Sequence, residues 1–211
     1  MTDIIKNMTQ LFFEYGAMGS GKTIEILKVA HNYELQGKKV LLMTPDVDDR
    51  AGVGVIASRI GLKRAAVAIH KSDDLFAEVL KNTDDLAAIL IDEAQFLAAK
   101  QVDQLAQIVD ELNIPVMTFG LRQDAFNHLF PGSKRLFEIA DKLEEMKTIC
   151  TFCGKKAITQ LRIVDGQPQY EGDQVFIGGD EAYVPVCRKH WYHPDQKRLA
   201  ELFDTKQHAA N

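Results

Sequence analysis

The chain is short of three things, and each shortage narrows what it can be. Cysteine is scarce: 211 residues carry only Cys150, Cys153 and Cys187, all of them late. An odd, clustered set of that kind is poor material for a disulfide framework. Positive charge is not in excess either. Lys and Arg number 25 against 30 Asp and Glu, a formal net charge of -5, which argues against nucleic acid as the main partner. A local basic cleft for a nucleotide remains compatible with that balance. Long apolar runs are absent, so no membrane-spanning segment is expected. The opening Met1-Thr2-Asp3-Ile4-Ile5-Lys6-Asn7 also lacks the basic stretch and long apolar core of a secretory signal. The expected location is the cytosol. Internal repeats and low-complexity tracts are missing too. What is present suffices for a core without disulfides, because 46% of the residues are hydrophobic. The length suits one α/β domain plus a small appendage.

The most informative stretch is Gly16-Ala17-Met18-Gly19-Ser20-Gly21-Lys22-Thr23, a Gly-x-x-x-x-Gly-Lys-Thr phosphate loop. Leu11-Phe12-Phe13-Glu14-Tyr15 before it reads as a buried strand, and Ile24 to Ala30 after it as the start of a helix. The glycines let successive N–H groups turn inward around a polyphosphate, and the helix N-terminus adds its positive end. Lys22 can reach the β/γ-phosphates and Thr23 can offer its hydroxyl to Mg²⁺. The chain is therefore expected to bind a nucleoside triphosphate.

Strand-like and helix-like segments alternate from residue 11 to about 143. Lys38 to Thr44 and Ala65 to Ile69 read as strands. Ser72-Asp73-Asp74 looks like the cap of a helix holding Leu75, Phe76, Val79 and Leu80. Leu86 to Ile91 is a continuous apolar run of the kind a parallel sheet buries. A helix from about Lys100 to Leu112 and a strand from Ile114 to Gly120 follow. Such alternation implies a parallel sheet with right-handed crossovers. The Asp46–Ile60 stretch between them, with Asp48, Asp49 and Arg50, reads as a polar, Gly-punctuated loop. From about Leu143 the helices stop alternating. Short β pieces, among them Gln174 to Ile177 and Tyr183 to Val186, surround a long loop, and a helix from Gln196 to Phe203 leads into the tail.

Two further patterns carry chemistry. Ile89-Leu90-Ile91-Asp92-Glu93-Ala94-Gln95-Phe96 is an apolar strand ending in two acids. Asp92 fits the strand-tip carboxylate that holds Mg²⁺ in phosphate-loop proteins. Glu93 can take a proton, from water in an ATPase or from a substrate hydroxyl in a kinase. Cys150-Thr151-Phe152-Cys153 and Cys187-Arg188-Lys189-His190 form two knuckles of equal span. Three thiolates and one imidazole make a closed tetrahedral Zn²⁺ site, structural rather than catalytic, that fixes both ends of the intervening loop.

The phosphate loop, the Asp-Glu-x-Gln-Phe strand end and the paired knuckles, in that order, resemble the thymidine kinases of the cellular (type II) family, and its bacterial branch closely. Gly120-Leu121-Arg122-Gln123-Asp124 and Ile177-Gly178-Gly179-Asp180-Glu181-Ala182-Tyr183 resemble two further family segments. The resemblance implies an α/β fold: a P-loop NTPase-like parallel sheet flanked by helices, plus a small zinc-binding lasso domain. The expected division is a P-loop ATP-binding kinase domain over 9–143, the lasso domain over 144–193, and a C-terminal helix and tail over 194–211. The implied reaction is transfer of the γ-phosphate of ATP to the 5′-hydroxyl of thymidine, and of deoxyuridine, in nucleoside salvage. Glu93 is then the base that deprotonates the 5′-hydroxyl. ATP and Mg²⁺ fall to Gly16, Ala17, Met18, Gly19, Ser20, Gly21, Lys22, Thr23, Asp48, Arg50, Asp92 and Gln95. The nucleoside pocket falls to Met18, Phe96, Leu121, Phe130, Thr159, Phe176, Gly178 and Tyr183, with Gln95 beside them. A homotetramer with feedback from the thymidine triphosphate is implied on the same ground.

One departure stands out. The family segment has Phe directly after the Asp that matches Asp124, whereas this chain has Ala125 and then Phe126, with Gln123 in place of Thr. Either Phe126 shifts in to replace the ring or the pocket is altered. Two other classes remain open on residues alone. The Asp92-Glu93-Ala94-Gln95 box suits a nucleic-acid motor, and a zinc-braced loop suits a non-catalytic nucleotide switch.

Overall fold

The computed structural model describes residues 9–47, 52–81, 84–174 and 183–209. The chain divides into two compact units. One comprises Met1–Tyr15, Gly21–Leu121 and Leu129–Met146; the other comprises Gly16–Ser20, Arg122–His128 and Lys147–Asn211.

The first unit is a parallel sheet with helices on both faces. In chain order, β1 (Leu11–Gly16) leads to α1 (Lys22–Leu35) and β2 (Lys39–Pro45). A small antiparallel hairpin of β3 (Val55–Ala57) and β4 (Lys63–Ala65) precedes β5 (Val67–Ile69). Then come α2 (Leu75–Leu80), β6 (Leu86–Ile91), a 3₁₀ turn over Ala94–Phe96, α3 (Ala99–Gln107), β7 (Val116–Leu121), α4 (Pro131–Ile139) and β8 (Lys142–Glu145). The sheet order is β5-β2-β6-β7-β1-β8, and the pairs β2·β5, β2·β6, β6·β7 and β1·β8 are parallel.

The strand sequences explain the layering. In β6, Ile89 and Ile91 enter one apolar cluster with Leu11, Phe13, Val102, Leu105 and Leu136, while Leu90 between them enters another with Ile26, Leu27, Ala30 and Phe119. A strand alternates faces, so a run that is apolar at every position belongs in the middle of a sheet covered on both sides.

Three local details differ from the sequence reading. The Ala65–Ile69 stretch is two short strands, because the Ala66 N–H turns aside to Gly54 O at 2.8 Å. The helix expected over Lys100–Leu112 is α-helical to Gln107 and finishes as a π turn over Ile108–Leu112, closed by Asn113 at φ 56°. Pro115 prevents the helix from running on. The sheet ends at Glu145, since β8 pairs with β1 in register Phe12↔Lys142 to Tyr15↔Glu145. The Asp74 cap is as read: its carboxylate accepts the Ala77 N–H at 3.0 Å.

Gly132, at the start of α4, holds that helix against the 3₁₀ turn. A Cβ there would lie 2.4 Å from Ala94 O and 2.9 Å from both Gln95 O and Leu97 O, all backbone atoms that cannot swing away. Gly132→Ala is expected to cost about 3 kcal/mol, the upper end for overpacking. Urea denaturation checks this; an unchanged midpoint would show that the close approach is not tight.

The second unit is built on little apolar material. β9 (Thr148–Ile149) and β10 (Lys156–Ala157) form a hairpin whose connecting turn carries Cys150 and Cys153, just ahead of the next strand. β11 (Thr159–Val164) pairs antiparallel with β12 (Gln167–Gln169) and with β13 (Tyr183–Val186). The β11–β12 turn is Asp165-Gly166, both at positive φ, as a two-residue hairpin turn requires. α5 (Arg188–Tyr192) and α6 (Gln196–Ala209) complete it, the last helix running beyond the Phe203 read from sequence. Its core comprises Cys150, Phe152, Leu161, Ile163, Val186 and Leu199. Among the described residues, no helix is long and apolar enough to cross a membrane.

Candidate active site

The phosphate loop follows β1 without interruption. Gly19 (φ 75°) and Gly21 (φ 86°) both take left-handed backbone with open space where a Cβ would be, so conformation and not crowding selects glycine there. Gly21 O receives the Ile24 and Glu25 N–H groups, each at 3.0 Å, which starts α1 at Lys22. Burial pushes the Lys22 ammonium below its ordinary pKa, opposed by the nearby carboxylates of Glu93 and Asp92. The two acids therefore help to keep a buried lysine charged.

Asp92 stands at the end of β6 and is 4% exposed. It accepts the Glu93 N–H at 3.0 Å and a hydrogen bond from the Thr23 side chain. Burial, then the Glu93 charge, raises its pKa to about 7. A carboxyl with a raised native pKa contributes stability that is present below its unfolded value, near 4, and lost as pH rises through 7. Asp92→Asn cannot ionise. In metal-free buffer its melting temperature is therefore expected to gain on wild type by about 5–10 °C between about pH 5 and pH 8. A pH-independent difference between the two proteins would contradict the burial of an ionising carboxylate.

Glu93 sits at φ 51°, ψ 34°, a left-handed conformation uncommon for a residue with a side chain. The fully buried Gln95 amide explains how it is held. Gln95 Nε2 donates to Glu93 Oε2, while Gln95 Oε1 accepts the Leu121 N–H at 2.9 Å. One amide thus ties the acidic turn to the end of β7. Ser133 Oγ donates to Leu121 O at 2.6 Å, securing the same strand end from α4. Phe96 and Phe130 meet edge to face with centroids 5.5 Å apart.

The first unit thus brings Lys22, Thr23, Asp92, Glu93, Gln95, Phe96, Leu121 and Phe130 together. The second holds Gly16, Ala17, Met18, Gly19 and Ser20, the buried Thr159 on β11 and the half-buried Tyr183 on β13. Asp48, Arg50, Phe176 and Gly178 lie outside the described residues. Ala125 keeps the buried place, 4% exposed, and Phe126 is directed towards Gly172: its ring tip would lie 3.9 Å from a Cβ on that glycine.

The two knuckles converge. One ligand atom from each of Cys150, Cys153, Cys187 and His190 lies within 4.8 Å of the others. Cys153 Sγ is 3.9 Å from Cys187 Sγ, and His190 Nδ1 is 3.4 Å from Cys150 Sγ and 3.5 Å from Cys187 Sγ. A zinc tetrahedron with Zn–S bonds near 2.3 Å has edges of about 3.8 Å, so the donor set fits that ion. A disulfide would need sulfurs about 2 Å apart. Burial raises the Cys150 thiol, but N–H groups of Cys187, Phe152 and Cys153 and the His190 ring outweigh it and bring the pKa down to about 6. A thiolate at that position is what a zinc ligand requires.

Several organising residues are not singled out by the sequence. Gly132, Ser133, Gln160 and Trp191 act through contacts with residues distant in sequence, and no local pattern marks them. Only the Pro-Gly-Ser opening of α4 carries a hint, since proline favours a first helical turn.

A glycine loop between the first strand and its helix, together with an acid-tipped strand in a parallel α/β sheet, defines the P-loop NTPase-like class. The comparisons are narrower than that class. A family profile described as Thymidine kinase matches residues 9–191. The thymidine kinase of Lactobacillus johnsonii is 60% identical over 199 residues, covering 90% of this chain and 100% of its own. That of Lactiplantibacillus plantarum is 63% identical over 187 residues, covering 89% and 97%. The chain belongs to the thymidine kinase family. Among solved structures, a Pif1 helicase from Candida albicans is similar with a TM-score of 0.42 and 15% identity over 73% of this chain and 39% of that one. A likeness of that size lends nothing to the motor reading.

Proposed function

We propose that this chain transfers the γ-phosphate of ATP to the 5′-hydroxyl of thymidine, and of deoxyuridine, serving nucleoside salvage for DNA synthesis. The observation that carries the reading is the setting of Glu93. A carboxylate held in left-handed backbone by Gln95, beside Asp92 and Lys22, is a fixed proton acceptor next to a triphosphate site. The residues 9–143 supply the ATP-binding domain, 144–193 the zinc-binding lasso, and 194–211 a helix and tail.

Phosphoryl transfer asks for positioning and charge stabilisation more than covalent chemistry. The N–H groups from Gly16 to Thr23 cradle the phosphates, and Lys22 meets the β/γ-oxygens. Asp92 and Thr23 hold Mg²⁺, with Gln95 fixing the turn beside it. Mg²⁺, when bound, neutralises charge on the β- and γ-oxygens. Asp48 and Arg50 serve the phosphate side. Glu93 removes the proton from the 5′-oxygen as that oxygen attacks the γ-phosphorus and ADP leaves. Phe96, Phe130 and Leu121 wall the pyrimidine, with Met18, Thr159, Phe176, Gly178 and Tyr183 completing its surround. Cys150, Cys153, Cys187 and His190 hold Zn²⁺, which braces the lasso. The proposal extends to a cytoplasmic homotetramer with feedback by thymidine triphosphate.

The test offers ATP-Mg²⁺ with thymidine, deoxyuridine, deoxycytidine, deoxyadenosine or no acceptor. Transfer confined to thymidine and deoxyuridine supports the reading. Equal transfer to the other nucleosides, or hydrolysis that single-stranded DNA stimulates, would overturn it.

A further inference from the structure

The knuckle helix is connected to the phosphate loop by a short chain of hydrogen bonds inside the second unit. Trp191, one residue after the ligand His190, points its indole N–H at Ala125 O, 2.8 Å away. Its backbone N–H is bound to Cys187 O at 3.0 Å, so its place is set by two of the four ligand residues. The ring is steadied edge-on by Tyr170 and Tyr192, with centroids 5.1 and 4.8 Å away.

The segment that receives this hydrogen bond is rigid. Asp124 is 2% exposed, and its Oδ1 accepts the N–H groups of Phe126 and His128 at 2.9 and 2.8 Å. The Asp124 N–H returns to His128 O at 2.9 Å, and Gln174 Nε2 donates to Asp124 Oδ2 at 3.0 Å. Gln160, buried on β11, donates to Gln123 O. A loop closed on itself in this way passes on a displacement rather than absorbing it. Its first residue, Arg122, donates its N–H to Gly16 O at 3.2 Å, where the phosphate loop begins.

We infer that Trp191 is a positioning residue through which zinc at the Cys150–Cys153–Cys187–His190 cluster sets the Arg122–His128 loop and, by the Arg122–Gly16 hydrogen bond, the geometry of the triphosphate-binding loop. Metal loading then tunes affinity for the phosphate donor, in addition to bracing the segment between the knuckles. This rests on the reading of Gly16–Thr23 as the triphosphate site. It goes beyond that reading by coupling the site to the metal cluster.

Trp191→Phe removes the donor and keeps an aromatic ring. In the full-length, zinc-loaded protein the dissociation constant of a non-hydrolysable ATP analogue with Mg²⁺ is expected to rise about fivefold, the usual worth of one hydrogen bond. KM for ATP should rise alike, with kcat at saturating ATP within about twofold of wild type and zinc content unchanged. Trp191 is the only tryptophan of the chain, so its emission gives a second readout in the wild type. Binding of the analogue to the zinc-loaded wild type should shift that emission through the same chain of contacts. An unaltered dissociation constant in the zinc-loaded variant overturns the inference. Loss of zinc or of fold in the variant also overturns it, by showing the ring to be structural only. A wild type that binds no analogue sinks the phosphate-loop reading itself, a failure distinguishable from either.

Discussion

Glu93→Gln is expected to lower kcat for thymidine phosphorylation by about 10²–10⁴-fold, the usual contribution of a positioned general base. Affinity for ATP-Mg²⁺ should stay within a few-fold of wild type. The substitution is nearly isosteric, and the Gln95 amide can still bond the oxygen that remains on residue 93. Folding should therefore survive, and the loss should fall on the chemical step. Steady-state kinetics together with calorimetric titration of a nucleotide analogue would separate the two. A variant that retains wild-type kcat would remove Glu93 from the chemistry and favour a nucleotide switch. A variant that loses ATP binding and turnover together would make the residue architectural.

Stripping zinc is expected to unfold the second unit. Among the described residues its core cluster has six buried side chains, a small core for a domain of this length to rest on by burial alone. A structural zinc site contributes on the order of 10 kcal/mol of apparent binding free energy at neutral pH. A strong chelator, or Cys187→Ser, should make Lys147–Asn211 sensitive to protease and lower the melting temperature by more than about 10 °C. A zinc-free protein that melts like the wild type would show that the four side chains converge without a structural metal.

Much of this was legible in the residues, for identifiable reasons. The apolar run Leu86–Ile91 is of the kind a parallel sheet buries on both faces, and Ile89, Leu90 and Ile91 divide between two cores accordingly. The cysteines were legible because the chain has no others, and two knuckles of equal span admit one closed donor set. Less legible was how the acidic turn is held. Nothing local in Asp92-Glu93-Ala94-Gln95 announces that Glu93 takes left-handed backbone, or that Gln95 spans from it to Leu121. The Ala125–Phe126 departure was visible as a substitution, but its outcome was not. Ala125 stays buried and lends its carbonyl to Trp191, a partner 66 residues away in sequence. Contacts of that range arise only when strands pair and loops close, and periodicity carries no trace of them.

The most direct test is the stoichiometry of products when wild-type protein, ATP-Mg²⁺ and thymidine are mixed. If Glu93 takes its proton from the 5′-hydroxyl, ADP and thymidine 5′-monophosphate should appear in equal amounts, and omission of thymidine should nearly abolish ADP formation. ADP released at the same rate with or without thymidine, and no monophosphate, would contradict it.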